Sequence, residues 1–128
     1  MDQSAPFLDN PYFKRSEFAC KCGCGLDNVD HGLVELLTTI RGVVAKPIII
    51  TSGLRCINWN RANGGSEASY HLSGQAADFY VKDMDIGEVH NLIADCIDQD
   101  KYGLGYYPAK KFIHLYVRNF RARWMDTE

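Results

Sequence analysis

Apolar residues recur at helical spacing after Asp30. Leu33, Leu36, Leu37, Ile40, Val43 and Val44 share one face, and Asp30 stands where an N-cap is expected. Pro47 ends that helix, and IIITS at 48–52 is a short apolar run of the kind a buried strand shows. A polar loop is expected over 53–69, GLRCINWNRANGGSEAS, broken at Gly64 and Gly65. GQAADFYV (74–81) alternates as a strand does. Asp85 and Glu88 then precede Val89, Leu92, Ile93, Cys96 and Ile97, a cap followed by a second amphipathic helix. YGLGYY (102–107) and FIHLYV (112–117) are two further strand-like runs joined by a turn containing Pro108. Helix, two strands, helix, two strands, without βαβ alternation, predicts an α+β fold: a small, mainly antiparallel sheet flanked by two helices. Residues 1–27 show no period. They are expected to form an irregular arm that packs Phe7, Tyr12, Phe13 and Phe18 onto the body of a single domain spanning 1–128.

Composition narrows the classes of function. A content of 46% hydrophobic and 23% charged residues in 128 describes a globular chain with a core of its own. Fourteen basic against sixteen acidic residues leave a net charge of −2, so no positive field argues for nucleic acid or a membrane surface. Arg118, Arg121 and Arg123 form the one local excess of positive charge and read as a solvated face. The first residues carry no apolar run of signal-peptide length, and nothing resembles a membrane span. A monomer, cytoplasmic as synthesised and reaching any outer target only after release, is the expectation. Five cysteines, an odd number, are expected as free thiols. Cys20, Cys22 and Cys24 alternate in CKCGCG, but lack Cys-x2-Cys spacing and a paired second half. They read as a packed, reduced loop before they read as a second metal site. Cys56 and Cys96 read as small buried residues, and Trp59 and Trp124 as packing residues.

Strand parity exposes two anomalies. In AADFYV, Ala76, Asp78 and Tyr80 share one face while Ala77, Phe79 and Val81 share the other. A buried aspartate costs several kcal/mol unless something pairs with it. In FIHLYV, His114 lies between Ile113 and Leu115, another polar side chain in an apolar strand. His71 stands where the loop enters the first of these strands. One cation bound by His71, Asp78 and His114 would satisfy all three. Two imidazoles and a carboxylate suit zinc and leave its fourth position to water, the arrangement of a catalytic site. The alternative is two ordinary histidines and an aspartate paired with an arginine.

SGLRC (52–56), NGG (63–65), SYHLSGQAADF (69–79), GLGYYP (103–108) and FIHLYVR (112–118) occur in that order. Together they resemble the zinc D-alanyl-D-alanine carboxypeptidase family. That family includes phage endolysins cutting L-alanyl-D-glutamate bonds, and its fold is shared by Hedgehog signalling domains. FKRSEFACKCGCG resembles the start of its short phage and bacterial members. The resemblance implies a Zn2+ site formed by His71, Asp78 and His114, and hydrolysis of peptide bonds in the peptidoglycan stem peptide. It implies a carboxylate-binding role for Arg55 and places Ser69 against the substrate or under the His71 loop. It also sets a problem. The family carries a general-base carboxylate three residues before the last zinc histidine, or an acidic residue two after it. This chain has Lys111 and Tyr116 there. A phenol of pKa near 10 is a poor base but can donate to an oxyanion, and Glu67 is the remaining candidate base. A zinc-holding, peptidoglycan-binding module with weakened catalysis is the alternative function.

Overall fold

The structure, a computed structural model, describes residues 10–62, 64, 69–119 and 121–126. The element order is a 3-10 turn at Arg15–Phe18, α1 (His31–Val44), β1 (Ile48–Ser52), α2 (Ile57–Ala62), β2 (Ala76–Val81), α3 (Ile86–Cys96), β3 (Gly103–Tyr107), β4 (Phe112–Tyr116) and β5 (Ala122–Met125). The five strands form one sheet in the order β1-β2-β4-β3-β5, with every pairing antiparallel except β3 with β5. This is the α+β arrangement the periodicity predicts. Two elements go beyond it. The loop expected over 53–69 contains α2, too short and polar to show an apolar stripe. The tail contains β5, whose ARWM has no clean alternation.

The two long helices start where their carboxylates can reach orphan amides. Asp30 accepts a hydrogen bond from the Leu33 amide, and Asp85 accepts from Gly87 and Glu88. Helix α1 ends at Ala45, which takes a left-handed conformation with φ 57° and returns its N–H to the Arg41 carbonyl. Leu33, Val34, Leu37 and Ile40 of α1 and Val89 and Ile93 of α3 are buried against one face of the sheet. Ala77, Phe79, Val81, Leu104, Ile113 and Leu115 supply that face. Val43, placed on the same helical face by spacing, is exposed at the C-terminal turn.

The N-terminal arm is part of this core. Phe13 and Phe18 are buried with ring centroids 5.8 Å apart, each side chain contributing about 1.5–3 kcal/mol. Tyr12 instead stays exposed and lies under the Arg41 guanidinium, while Phe7 falls outside the described residues. The arm fastens to the segment after β1 through the Leu54 amide, which donates to the Phe18 carbonyl at 2.9 Å. A Cβ on Gly53 would stand 2.6 Å from that carbonyl oxygen and 2.7 Å from the Phe18 Cα, both backbone atoms with nowhere to go. Gly53→Ala is therefore expected to lose about 1–3 kcal/mol by overpacking. Urea denaturation should show it as a lower midpoint at unchanged slope; a midpoint equal to wild type would mean that the arm is not held there.

The arginine cluster is a solvated face only at Arg121, which is exposed; Arg118 and Arg123 are half-buried. The Arg123 guanidinium donates to the carbonyls of Tyr102, Ala122, Asp98 and Lys101, and Arg121 donates to that of Gln99. These bonds tie β5 to the loop entering β3. Cys96, expected to be buried, is exposed, and Cys56 is half-buried. Among the described residues no helix is long and apolar enough to cross a membrane.

Candidate metal centre

The face of the sheet turned away from α1 and α3 carries the unusual residues. Strand register aligns Ser52, Asp78, His114, Gly105 and Trp124 in one row across the five strands. Asp78 and His114 are direct cross-strand partners, so their side chains rise from the same face about 5 Å apart at Cβ. A register irregularity between Ile50 and Ser52 brings Ser52 opposite Asp78, where Thr51 would otherwise fall. Gly105 and Gly103 leave room for large rings: a Cβ would stand 2.5 Å from Trp124 at the first and 2.1 Å from Tyr116 at the second.

His71 reaches the row from the turn before β2. Gly74 makes that turn possible, with φ 74° and a Cβ position only 2.8 Å from the Asn28 carbonyl oxygen. The ring of His71 is buried, and its Nδ1 lies 2.7 Å from the Gly53 carbonyl oxygen. A carbonyl only accepts, so Nδ1 carries a proton, and Nε2 is the nitrogen turned to the row, a donor to Asp78 when protonated and a ligand when not. A histidine held in this way by its second nitrogen is typical of metal ligands.

His71 Nε2 stands 3.4 Å from Asp78 Oδ1 and 3.3 Å from His114 Nδ1. Donors about 2.05 Å from a tetrahedral zinc lie about 3.3 Å from one another, so these two separations fit a shared cation. His114 Nδ1 is closer to Asp78 Oδ1, at 2.6 Å, a hydrogen bond whose proton a cation would replace. The Asp78 carboxyl is held well below the usual carboxylate range. Burial opposes its charge, but hydrogen bonds from His114 and His71, and the attraction of both rings, outweigh that cost. A depressed carboxylate contributes stability above its unfolded value near 3.9 and loses it as pH falls through the folded value. At neutral pH Asp78 is thus an anion, and the three donors form a group able to hold a metal ion.

Arg55 and Ser69 both support this group. Arg55 donates from Nε to the Ser52 hydroxyl at 3.2 Å and from one terminal nitrogen to Asn60 Oδ1 at 3.3 Å. Its other terminal nitrogen donates to Asp78 Oδ2 at 3.5 Å. The guanidinium therefore steadies the carboxylate oxygen that does not face the histidines, which makes Asp78 partner an arginine as well as the two rings. Ser69 accepts a hydrogen bond from the His71 amide at 3.2 Å, so it has a role under the loop.

The cleft over the group is lined by Arg55, Ser69, His71, Asp78 and His114 together with a wall of aromatics. Tyr70 stacks on Tyr116 at 4.4 Å, and Tyr107 stacks on Phe112 at 4.4 Å. Trp124 donates from its indole nitrogen to the Tyr107 hydroxyl at 3.0 Å. Trp124 is thus a cleft residue, where the sequence suggested packing alone. Alternation in FIHLYV could have flagged Phe112 beside His114, but nothing in the sequence ties Tyr70 or Trp124 to them. Tyr116 lies in the cleft as parity requires, and its hydroxyl accepts a bond from Arg118 at 2.5 Å. Lys111 stands outside the cleft at the tip of the β3–β4 turn, and Glu67 lies outside the described residues. Among the described residues Asp78 is the one carboxylate lining the cleft.

Comparison with known proteins agrees with this geometry. The chain matches the family described as peptidase M15 over residues 11–116, which takes in the whole triad. It is 30% identical over 97 residues to the peptidoglycan L,D-endopeptidase MepK of Escherichia coli (strain K12), covering 70% of this chain and 52% of that protein. MepK of Shigella flexneri matches to the same extent. The chain thus spans about half the length of the curated relatives it matches. A match over most of the chain, with a largely buried His-Asp-His group gathered over one sheet face inside it, makes this protein a member of the peptidase M15 family.

Proposed function

We propose that this protein is a zinc-dependent peptidase acting on the stem peptides of peptidoglycan, with His71, Asp78 and His114 as the zinc ligands. The observation that carries the reading is the spacing of their three donor atoms, with the His71 proton fixed on the far nitrogen. The similarity to MepK, a peptidoglycan L,D-endopeptidase, supports the substrate class. Zinc held there supplies a Lewis acid for a carbonyl and lowers the pKa of a water to about 7.

The chain's own residues supply the rest. Arg55 keeps Asp78 oriented and has one further N–H on each terminal nitrogen with which to meet a substrate carboxylate. The Tyr116 hydroxyl accepts from Arg118 and so turns its own proton outward, a donor for an oxyanion. Tyr70, Trp124 and Phe112 line the cleft with apolar surface that displaces water from a bound peptide. Glu67, two places before Ser69, is the carboxylate proposed to take the proton of the attacking water. The similarity to MepK, an endopeptidase, favours an endopeptidase over a carboxypeptidase. Release from a cytoplasm to the wall, as by a phage endolysin, is the proposed setting.

The lack of a second carboxylate among the described cleft residues favours one other reading, a zinc-holding module that binds peptidoglycan without cutting it. Digestion of purified peptidoglycan separates the two. Soluble stem-peptide fragments, lost with a chelator and restored by zinc, are the expected result. Co-sedimentation with the wall and no new peptide ends would support the module instead.

Arg55→Ala provides a further test of the roles assigned. Removing a partner that orients a metal-bound carboxylate typically weakens metal binding about 10–100-fold, and zinc competition with a chromophoric chelator would read that directly. At saturating zinc the variant should retain a raised KM from the lost carboxylate contact. Unchanged zinc affinity would assign Arg55 to the substrate alone.

A further inference from the structure

We infer that Cys20, Cys22, Cys24 and Cys56 form a second metal site, a closed tetrathiolate that holds a structural zinc. The sulfurs of all four lie within 4.8 Å of one another, although Cys56 is remote in sequence from the other three. Cys20 and Cys22 sulfurs are 3.4 Å apart, and Cys22 and Cys56 sulfurs 3.7 Å. Four sulfurs about 2.3 Å from a tetrahedral zinc are about 3.8 Å from each other. These two separations are therefore close to the spacing a single ion would impose, and the others lie within 4.8 Å.

Packing does not account for the arrangement. Cys20 is buried, but Cys22 and Cys24 are exposed, so these two thiols gather at the surface rather than fill a core. The backbone is shaped to gather them. Gly23 and Gly25 adopt φ of 84° and 89°, and the Cys20 amide closes the turn onto the Leu26 carbonyl at 2.8 Å. Backbone amides point at the sulfurs: that of Cys56 donates to Cys20 and that of Trp59 to Cys56, each at 3.4 Å. Such donors favour thiolate over thiol.

Soft sulfur ligands in a four-coordinate cluster select zinc, and with every position filled the ion has no opening for chemistry. Its place in the fold gives it a different task. It would clamp the turn at 20–26 to the segment 53–56, whose Gly53 carbonyl orients His71 and whose Arg55 holds Asp78. The N-terminal arm would thus be fastened to the same short segment that supports the proposed peptidase centre.

The site is tested apart from any peptidase activity. The full chain carrying His114→Ala, prepared reduced and with zinc, should hold one zinc per chain, and adding Cys22→Ser and Cys24→Ser should remove it. Cobalt in place of zinc should give an intense sulfur-to-cobalt charge-transfer band in the His114→Ala protein. Should the serine variants fail to fold, alkylation of the intact wild type gives the answer. With zinc, Cys96 alone should react; after chelation, Cys22 and Cys24 should follow. Zinc-loaded protein that is alkylated at Cys22 and Cys24, or that shows disulfides among the four cysteines, would overturn the proposal. So would a His114→Ala protein that takes up no zinc.

Discussion

His114→Ala is expected to leave a folded protein that releases peptidoglycan fragments at least about 10³-fold more slowly than wild type. His114 stands opposite Asp78 on the face away from the core, so its loss removes no core contact and opens no interior cavity. It does remove one of three donors around the proposed ion, and with it the charge stabilisation that a metal contributes, several kcal/mol. Each 1.36 kcal/mol is tenfold in rate. Circular dichroism would establish that the variant folds, and elemental analysis that one zinc has been lost relative to wild type. A folded variant that keeps wild-type zinc content and cuts within tenfold of the wild-type rate would remove His114 from the centre.

Glu67→Gln is expected to lower kcat about 10²–10⁴-fold, the usual contribution of a positioned general base, while leaving zinc content unchanged. Asp78 cannot serve as that base. It is committed to His71, His114 and Arg55, and its depressed pKa makes it a reluctant proton acceptor. Tyr116 has its hydroxyl taken up by Arg118, and Lys111 lies outside the cleft. Glu67 is the nearest carboxylate in sequence to His71. The pH–rate profile gives a second reading. Its acid limb, set by deprotonation of the base, should disappear in the variant along with the rate. Unaltered kcat would mean that hydrolysis proceeds with the ligands and the Tyr116 hydroxyl alone.

The gathering of Asp78 and His114 was legible in the sequence because strand parity has few ways to hide a charge. Asp78 beside Phe79 and His114 between Ile113 and Leu115 broke the apolar pattern, and the antiparallel pairing of β2 with β4 then set them opposite each other. The helices were legible for the opposite reason, since Asp30 and Asp85 mark their starts and the apolar stripes are long. What escaped was set by long-range contact. β5 is four residues long and pairs in parallel with β3, so neither alternation nor a hairpin turn announces it, and Trp124 came with it. The arginines near it looked like a solvated face because their partners are backbone carbonyls, which no side-chain pattern reveals. Cys56 could not be joined to CKCGCG by spacing, because the contact depends on Phe18 and Leu54 bringing the arm to the end of β1.

The proposed centre is one ion held by His71 Nε2, Asp78 Oδ1 and His114 Nδ1. Anomalous diffraction at the zinc absorption edge, from crystals of protein prepared with zinc, tests that most directly. The expected result is a peak about 2.0–2.2 Å from each of those three atoms. A map with no peak there, in crystals grown with zinc in excess, would contradict it, and a peak confined to the four cysteines would do so equally.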